Sequence, residues 1–209
     1  MESNFSGKSA RAGFTLVELL VVISILALLS AILQPVIVNS KRAAKKATCQ
    51  SNLKQVGAAI FLYGNDWDDC YPWSIDAFTR ANGEALSDFP NPHDLIPDSV
   101  TVLAMYTGGH GQIWRCPSDQ QSFEAPIYGL STTQRFPSAF DFAGTSYRFN
   151  YQIRVAGKPQ TIFVSSSLRL CEDAGQWHSS YVEPNIFQKA DNVLFGDGHV
   201  RFVSTMDGS

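Results

Sequence analysis

The feature that most constrains this chain is the apolar segment 14–33, which has one charged residue, Glu18, and neither glycine nor proline. A helix of about twenty residues rises about 30 Å, which is the thickness of the hydrocarbon core of a bilayer. Apolar side chains occur on every face of this helix, so lipid or other helices are expected to surround it. The segment therefore predicts a helix that spans a membrane or assembles with similar helices.

Glu18 lies one turn into the apolar segment, where a charge is costly. An ionised side chain within a membrane segment costs roughly 2.5 to 3.5 kcal/mol on insertion scales, so a partner is expected to neutralise it. The alternative is an ordinary signal anchor with an isolated acid. A cleaved secretory signal fits less well, because the apolar run is too long and no small-x-small site follows it.

The sequence Gly-Phe-Thr-Leu-Val-Glu-Leu-Leu-Val-Val at 13–22 resembles the processing site of type IV pilins and of type II secretion pseudopilins. The resemblance implies that residues 1–13 form a leader, that a prepilin peptidase cuts after Gly13, and that the new amino group of Phe14 is methylated. It also implies that Glu18 pairs with the terminal amine of a neighbouring subunit during assembly. The implied partners are membrane lipid before assembly, copies of this chain, other pilin-like subunits and an inner-membrane assembly platform.

The charges on either side of the apolar segment give conflicting signals about orientation. Four cations follow it and two precede it, so the positive-inside rule alone would place the carboxyl-terminal part in the cytoplasm. The resemblance implies the reverse, a single-pass protein of the inner membrane with its head outside the cytoplasm, because the peptidase must reach Gly13 from the cytoplasmic side. The cations are Lys41, Arg42, Lys45 and Lys46 after the segment, and Lys8 and Arg11 before it.

The predicted helix continues beyond the apolar segment. Residues 14–35 form its membrane or assembly part, and residues 36–64 form an amphipathic part that ends near Tyr63. Pro35 is expected to kink the helix. The amphipathic part is predicted to pack on a globular head formed by residues 65–209. The apolar positions that recur near the helical period are Val36, Ala43, Ala44, Ala47, Leu53, Val56, Ile60 and Phe61.

Three landmarks in the head resemble those of secretion-G-like pseudopilins that end in an Asp-Gly motif. One departure is Phe187, which stands ten residues before Asp197, where that subfamily usually has a histidine; the nearest upstream histidine is His178. The resemblance implies an α+β fold, in which a long helix lies on a small antiparallel sheet. The landmarks are Cys-Pro-Ser-Asp at 116–119, Ser-Tyr-x-x-Asn at 146–150, and the run from Asn192 to Val200 that contains Asp197, Gly198 and His199.

Strand patterns begin at Ser146, and the apolar runs around Phe195–His199 predict a carboxyl-terminal hairpin. Residues 74–145 are rich in proline and glycine, so they are predicted to be loop-rich, with one short helix near 99–106. Such insertions usually contain what is specific to one subunit. The predicted strands are 147–153, 168–172, 192–195 and 199–203.

The chain has four cysteines, and an even number favours disulfides in an exported domain. Four cysteines can form two disulfides in three possible pairings. Cys49 lies within the predicted helix and Cys70 lies beyond its end, too far apart for a direct bond unless the chain doubles back. We favour Cys49–Cys116 with Cys70–Cys171, and free thiols are the alternative. A structural zinc site is not expected, because the chain has no Cys-x-x-Cys pair.

Four acidic residues of the head are candidates for a calcium site: Asp197, Asp191, Glu172 and Asp173. Major pseudopilins often hold calcium in a carboxyl-terminal loop, and calcium takes six to eight oxygen ligands. The simpler interpretation is that Asp197-Gly198 forms the turn of a hairpin, where glycine supplies a positive φ. No other cofactor is expected.

The composition excludes several classes of function. A net charge of −3 with 17% charged residues is not the balance of a nucleic-acid-binding protein. The chain has no nucleophile elbow, zinc-protease motif, P-loop or dinucleotide fingerprint, so no enzymatic activity is expected. The sequence predicts a structural subunit of a pseudopilus in type II secretion-like export. The alternatives are a type IV pilin for surface adhesion and a membrane-anchored binding protein that does not polymerise.

Overall fold

The computed structural model describes residues 14–82, 96–109, 111–126, 133–150, 166–175, 177–178 and 190–204. It divides into two compact units between Lys41 and Arg42, and the second unit contains the head. The helices are α1 (Leu16–Asp66), α2 (Ala77–Asn82), α3 (Ser99–Thr107) and α4 (Ala139–Ala143), with a 3₁₀ turn at Gln112–Trp114. The strands are β1 (Phe123–Pro126), β2 (Thr133–Phe136), β3 (Tyr147–Phe149), β4 (Arg169–Asp173), β5 (Ala190–Phe195) and β6 (Val200–Ser204).

Helix α1 is continuous over 51 residues and includes Pro35. Its buried face begins at Cys49, and buried residues then recur every three or four positions, which is the spacing of one helix face. The predicted face was therefore wrong in its first half, because Val36, Ala43, Ala44 and Ala47 are exposed. The head covers the helix from Cys49 onward, and the apolar residues before that point are exposed among the described residues. The buried residues are Cys49, Asn52, Leu53, Val56, Gly57, Ala59, Ile60, Tyr63 and Gly64.

The main sheet has the order β3-β4-β5-β6, and each neighbouring pair is antiparallel. This confirms the predicted α+β class, a long helix with a small antiparallel sheet. The four predicted strands coincide with β3 to β6, and their ends agree to within a residue or two where the positions are described. Residues 151–153 of the first predicted strand lie outside the described residues. The hairpin turn after Phe195 is confirmed, since Phe195 N–H donates to the carbonyl of His199 and Gly198 has φ of 85°.

The core of the head lies between the buried face of α1 and the sheet. Leu53, Val56 and Ile60 from the helix are at most 2% exposed and pack with Leu170 and Leu194 from the strands. Burying each such side chain contributes about 1.5 to 3 kcal/mol to folding. The helix approaches the sheet closely at Gly57, where an added Cβ would lie 2.9 Å from Cδ1 of Leu194.

The segment 74–145 contains more regular structure than predicted. The expected short helix is α3, in which Asp98 accepts a hydrogen bond from the N–H of Thr101 and Gly108 ends the helix in a left-handed conformation. The prediction missed α2, α4 and an antiparallel hairpin in which Phe123 of β1 pairs with Phe136 of β2. Each of these elements has four to six residues, too few to establish a periodic pattern among the surrounding prolines.

Candidate functional site

The amino-terminal tip of α1 brings Thr15 and Glu18 together as a capping box. The N–H and Oγ1 of Thr15 donate to Oε2 of Glu18 at 2.9 and 2.8 Å, and the N–H of Glu18 donates to Oγ1 of Thr15 at 3.2 Å. This reciprocal arrangement satisfies backbone donors that the first turn of a helix otherwise leaves open. Phe14 is described and exposed, whereas Gly13 lies outside the described residues.

The first half of α1 exposes a long apolar surface. Every residue from Phe14 to Ala44 is exposed, and Leu16 retains 78% of its accessible surface. Among the described residues, α1 is the helix long and apolar enough to cross a membrane, and its most apolar window has a mean hydropathy of 2.8. Water is a poor solvent for such a surface, so lipid or other protein must cover it.

The head has one disulfide, Cys49–Cys116, which joins α1 to the segment after the 3₁₀ turn with a Cα–Cα distance of 5.0 Å. This agrees with the first half of the favoured pairing. The second half is wrong, because Cys70 and Cys171 are free thiols. Cys171 is buried within β4, and burial raises the pKa of its thiol. Cys70 follows the end of α1, and its thiol donates to the carbonyl of Asp68.

His178 lies against this disulfide, although the sequence suggested no role for it beyond that of nearest upstream histidine. Its Nε2 lies 3.4 Å from Sγ of Cys116 and 3.6 Å from Oδ2 of Asp173. The side chains of His178 and Asp173 are 3% and 0% exposed. Burial raises the pKa of Asp173 to about 7 and lowers the pKa of His178 to about 4, with the charge of Lys46 adding to the latter shift.

Asn192, the first residue of the carboxyl-terminal landmark, links this pair to the helix. Its backbone N–H and its Nδ2 both donate to Oδ2 of Asp173 at 2.9 Å. Its Oδ1 accepts a hydrogen bond of 3.0 Å from Nε2 of Gln50 on α1. We call Cys49, Gln50, Cys116, Asp173, His178 and Asn192 the disulfide cluster. Its members come from five separate segments, so no local sequence spacing could have revealed it.

The other two landmarks meet each other in the head. The buried carboxylate of Asp119 accepts hydrogen bonds from the N–H groups of Ala139 and Phe140, both at 2.9 Å, and caps α4. It also accepts a hydrogen bond of 2.6 Å from Oγ of Ser146. The Cys-Pro-Ser-Asp and Ser-Tyr elements therefore hold the start of β3 against the segment that contains the disulfide.

The four calcium candidates do not converge within the described residues. Asp197 lies in the hairpin turn, where it accepts hydrogen bonds from the backbone N–H and Nδ1 of His199. Asp191 lies near the start of β5, whose last residue, Phe195, precedes this turn. The four residue steps from Asp191 to Phe195 span roughly 13 Å. Glu172 pairs with Arg169 on β4 at 3.4 Å, and Asp173 belongs to the disulfide cluster. The Asp197-Gly198 pair has the positive φ of a hairpin turn, and the calcium site stays a prediction.

Comparison with known proteins finds one match. Residues 8–33 match the family model of the prokaryotic N-terminal methylation motif, which includes Gly13, Phe14 and Glu18. Neither the curated proteins nor the solved structures contain a match to the chain. The match covers only the amino-terminal part of the chain. Together with the apolar helix that begins within it, the motif supports a type IV pilin-like or pseudopilin precursor.

Proposed function

We propose that the mature chain is a structural subunit of a filament, cut after Gly13, methylated on Phe14 and assembled through the first half of α1. The observation that carries this proposal is the long exposed apolar surface with a single acid at its tip, inside a methylation motif. We further propose that the filament is a pseudopilus of type II secretion-like export, without enzymatic activity and without nucleic acid as a partner.

The physical argument concerns what covers the apolar surface. Lipid covers it while the subunit is in the inner membrane, with the head outside the cytoplasm, and sister helices would cover it in the filament. Glu18 accepts hydrogen bonds from Thr15, and no salt bridge to Glu18 is found among the described residues. In a low-dielectric helix bundle, the terminal amine that cleavage creates on a neighbouring subunit would supply a counter-charge, and a missing partner would be costly.

Two measurements test the proposal. Mass spectrometry of the native protein should find an amino terminus at methylated Phe14. Assembly should be compared between Glu18→Gln and Thr15→Val, because glutamine keeps an oxygen that caps the helix but removes the charge. We expect Glu18→Gln to abolish filaments and Thr15→Val to reduce them partly. Glu124→Gln, at an exposed position of the head, is the matched control.

The outcome that contradicts assembly through Glu18 is a Glu18→Gln variant that forms filaments as well as the Glu124→Gln control. An intact Met1 in the native protein would contradict processing. The rival functions are separated by electron microscopy and secretion assays. Long sheared surface fibres with normal export would indicate an adhesive type IV pilin, and monomers that never polymerise would indicate a membrane-anchored binding protein.

A further inference from the structure

The disulfide cluster places metal-ligating atoms close together. The Sγ atoms of Cys49 and Cys116 and a ring nitrogen of His178 lie within 4.8 Å of one another. In a tetrahedral zinc site, with Zn–S near 2.3 Å and Zn–N near 2.0 Å, the ligand atoms lie roughly 3.4 to 3.8 Å apart. The observed separation of 3.4 Å between Sγ of Cys116 and Nε2 of His178 has this length. The histidine therefore already stands at the distance that a shared metal ion would impose.

Asp173 lies beside His178 but outside this group of three, and it is an independent observation that points to a cation. Its side chain is completely buried, and its Oδ2 lies 3.6 Å from Nε2 of His178. Its other oxygen, Oδ1, has no hydrogen-bond partner among the described residues. A buried acceptor without a donor costs about 1 to 3 kcal/mol, and a cation beside it removes that cost. Asn192 binds Oδ2 twice and so orients this carboxylate, as partners outside the ligand set do in metal sites.

We propose that the head binds one zinc ion when the disulfide is reduced, through the thiolates of Cys49 and Cys116, Nε2 of His178 and the carboxylate of Asp173. A dithiol reductant supplies two electrons and two protons, its own sulfurs form a disulfide, and the Cys49–Cys116 bond becomes two thiols. Zinc then replaces the two thiol protons, which pass to solvent, and the sulfurs move from bonding distance to two corners of the coordination tetrahedron, roughly 3.8 Å apart. The disulfide and the zinc site are thus alternative cross-links between the same two segments of the head.

The closed surroundings match a structural rather than a catalytic site. Both sulfurs belong to residues with no accessible surface, and the histidine side chain is 3% exposed. With Asp173 drawn to the ion as the fourth ligand when the sulfurs separate, no position would remain open for water, which is the pattern of structural zinc sites. A reduced head would therefore keep α1 joined to the segment at Cys116 wherever the disulfide has not yet formed.

The test uses the full chain in detergent with Co²⁺ as the spectroscopic probe. The protein is reduced with a dithiol, which is then removed under anaerobic conditions because it binds metal itself. The working background is Cys70→Ser/Cys171→Ala, so that the free thiols cannot contribute. We expect one Co²⁺ per chain with thiolate charge-transfer absorption, full displacement by Zn²⁺, and no such binding before reduction.

Variants assign the ligands. Cys49→Ser/Cys116→Ser should abolish the charge-transfer band, and His178→Ala should weaken binding at least tenfold. His199→Ala, at a partly exposed histidine outside the cluster, is the matched control and should bind normally. Absence of the band in the reduced chain, or a band that survives loss of both Cys49 and Cys116, would overturn the proposal. Loss of the folded circular-dichroism signal on reduction that zinc does not restore would overturn it as well.

Discussion

Removal of the Cys49–Cys116 disulfide should be among the most destabilising double changes in the head. The bond closes a loop across a sequence separation of 67 residues. Chain-entropy arguments assign such a loop about 4 kcal/mol of stabilisation at 25 °C. We expect Cys49→Ala/Cys116→Ala to lower the free energy of unfolding of the head by this amount. At a urea dependence of about 2 kcal/mol per molar, the unfolding midpoint should fall by roughly 2 M.

Tryptophan fluorescence during urea unfolding is the appropriate measurement, because all four tryptophans, at 67, 73, 114 and 177, lie in the head. A chelator must be present so that no metal stabilises the reduced chain. Cys70→Ser is the matched control, since this partly exposed thiol forms no disulfide, and it should change the stability by less than about 0.5 kcal/mol. Reduction should destabilise the parent and leave the double variant unchanged. The loop-closure reasoning would be refuted if the free energy of unfolding of the double variant lay within about 1 kcal/mol of that of the parent. A difference of that size is what ordinary single substitutions produce.

Three further changes give measurable outcomes in the same assay. Gly198→Ala should cost about 1 to 2 kcal/mol, because the residue has φ of 85° and a new Cβ would lie 3.3 Å from the ring of Phe61. Asp119→Ala should cost about 3 kcal/mol, because it leaves the hydroxyl of Ser146 and two backbone donors of α4 without their shared acceptor. Burial raises the pKa of Asp173 from 3.8 to about 7, which lowers stability as the pH rises, and lowers the pKa of His178 from 6.5 to about 4, which has the opposite effect over nearly the same interval. The Asp173 contribution is therefore the difference between the parent and Asp173→Asn. The parent should lose stability relative to Asp173→Asn as the pH rises from 3.8 to about 7, and a parent that gains stability relative to this variant would contradict the sign.

The elements that the sequence predicted well are those with long patterns or strong local chemistry. The apolar run from Phe14 specified the helix, the Asp197-Gly198 pair specified the hairpin turn, and the strands around them followed from short apolar runs. The start of the buried helix face was wrong because periodicity reports that a residue is apolar and not what covers it. Val36 and Leu53 are both aliphatic residues of the same predicted helix face, yet Val36 is 57% exposed and Leu53 is fully buried.

The disulfide cluster could not be predicted for a different reason. Its contacts depend on how β4 and β5 are placed beside α1, and on the position of His178 next to Cys116. A hydrogen bond such as that from Gln50 to Asn192 joins residues 142 positions apart, and no propensity or spacing rule constrains such a pair. The even cysteine count indicated that disulfide bonds form. It could not show that Cys171 is buried within β4 and is not bonded to Cys70.

Two landmark residues, Asp119 and Asn192, use their polar atoms in hydrogen bonds within the head. The carboxylate of Asp119 receives three hydrogen bonds, and Asn192 uses both its amide nitrogen and its amide oxygen within the head. A side chain whose hydrogen-bonding capacity is used within the fold cannot also contact a ligand without losing stability. Asp119 and Asn192 therefore contribute to the stability of the head. Trp73, by contrast, is 45% accessible, so its replacement by alanine should leave the unfolding midpoint nearly unchanged.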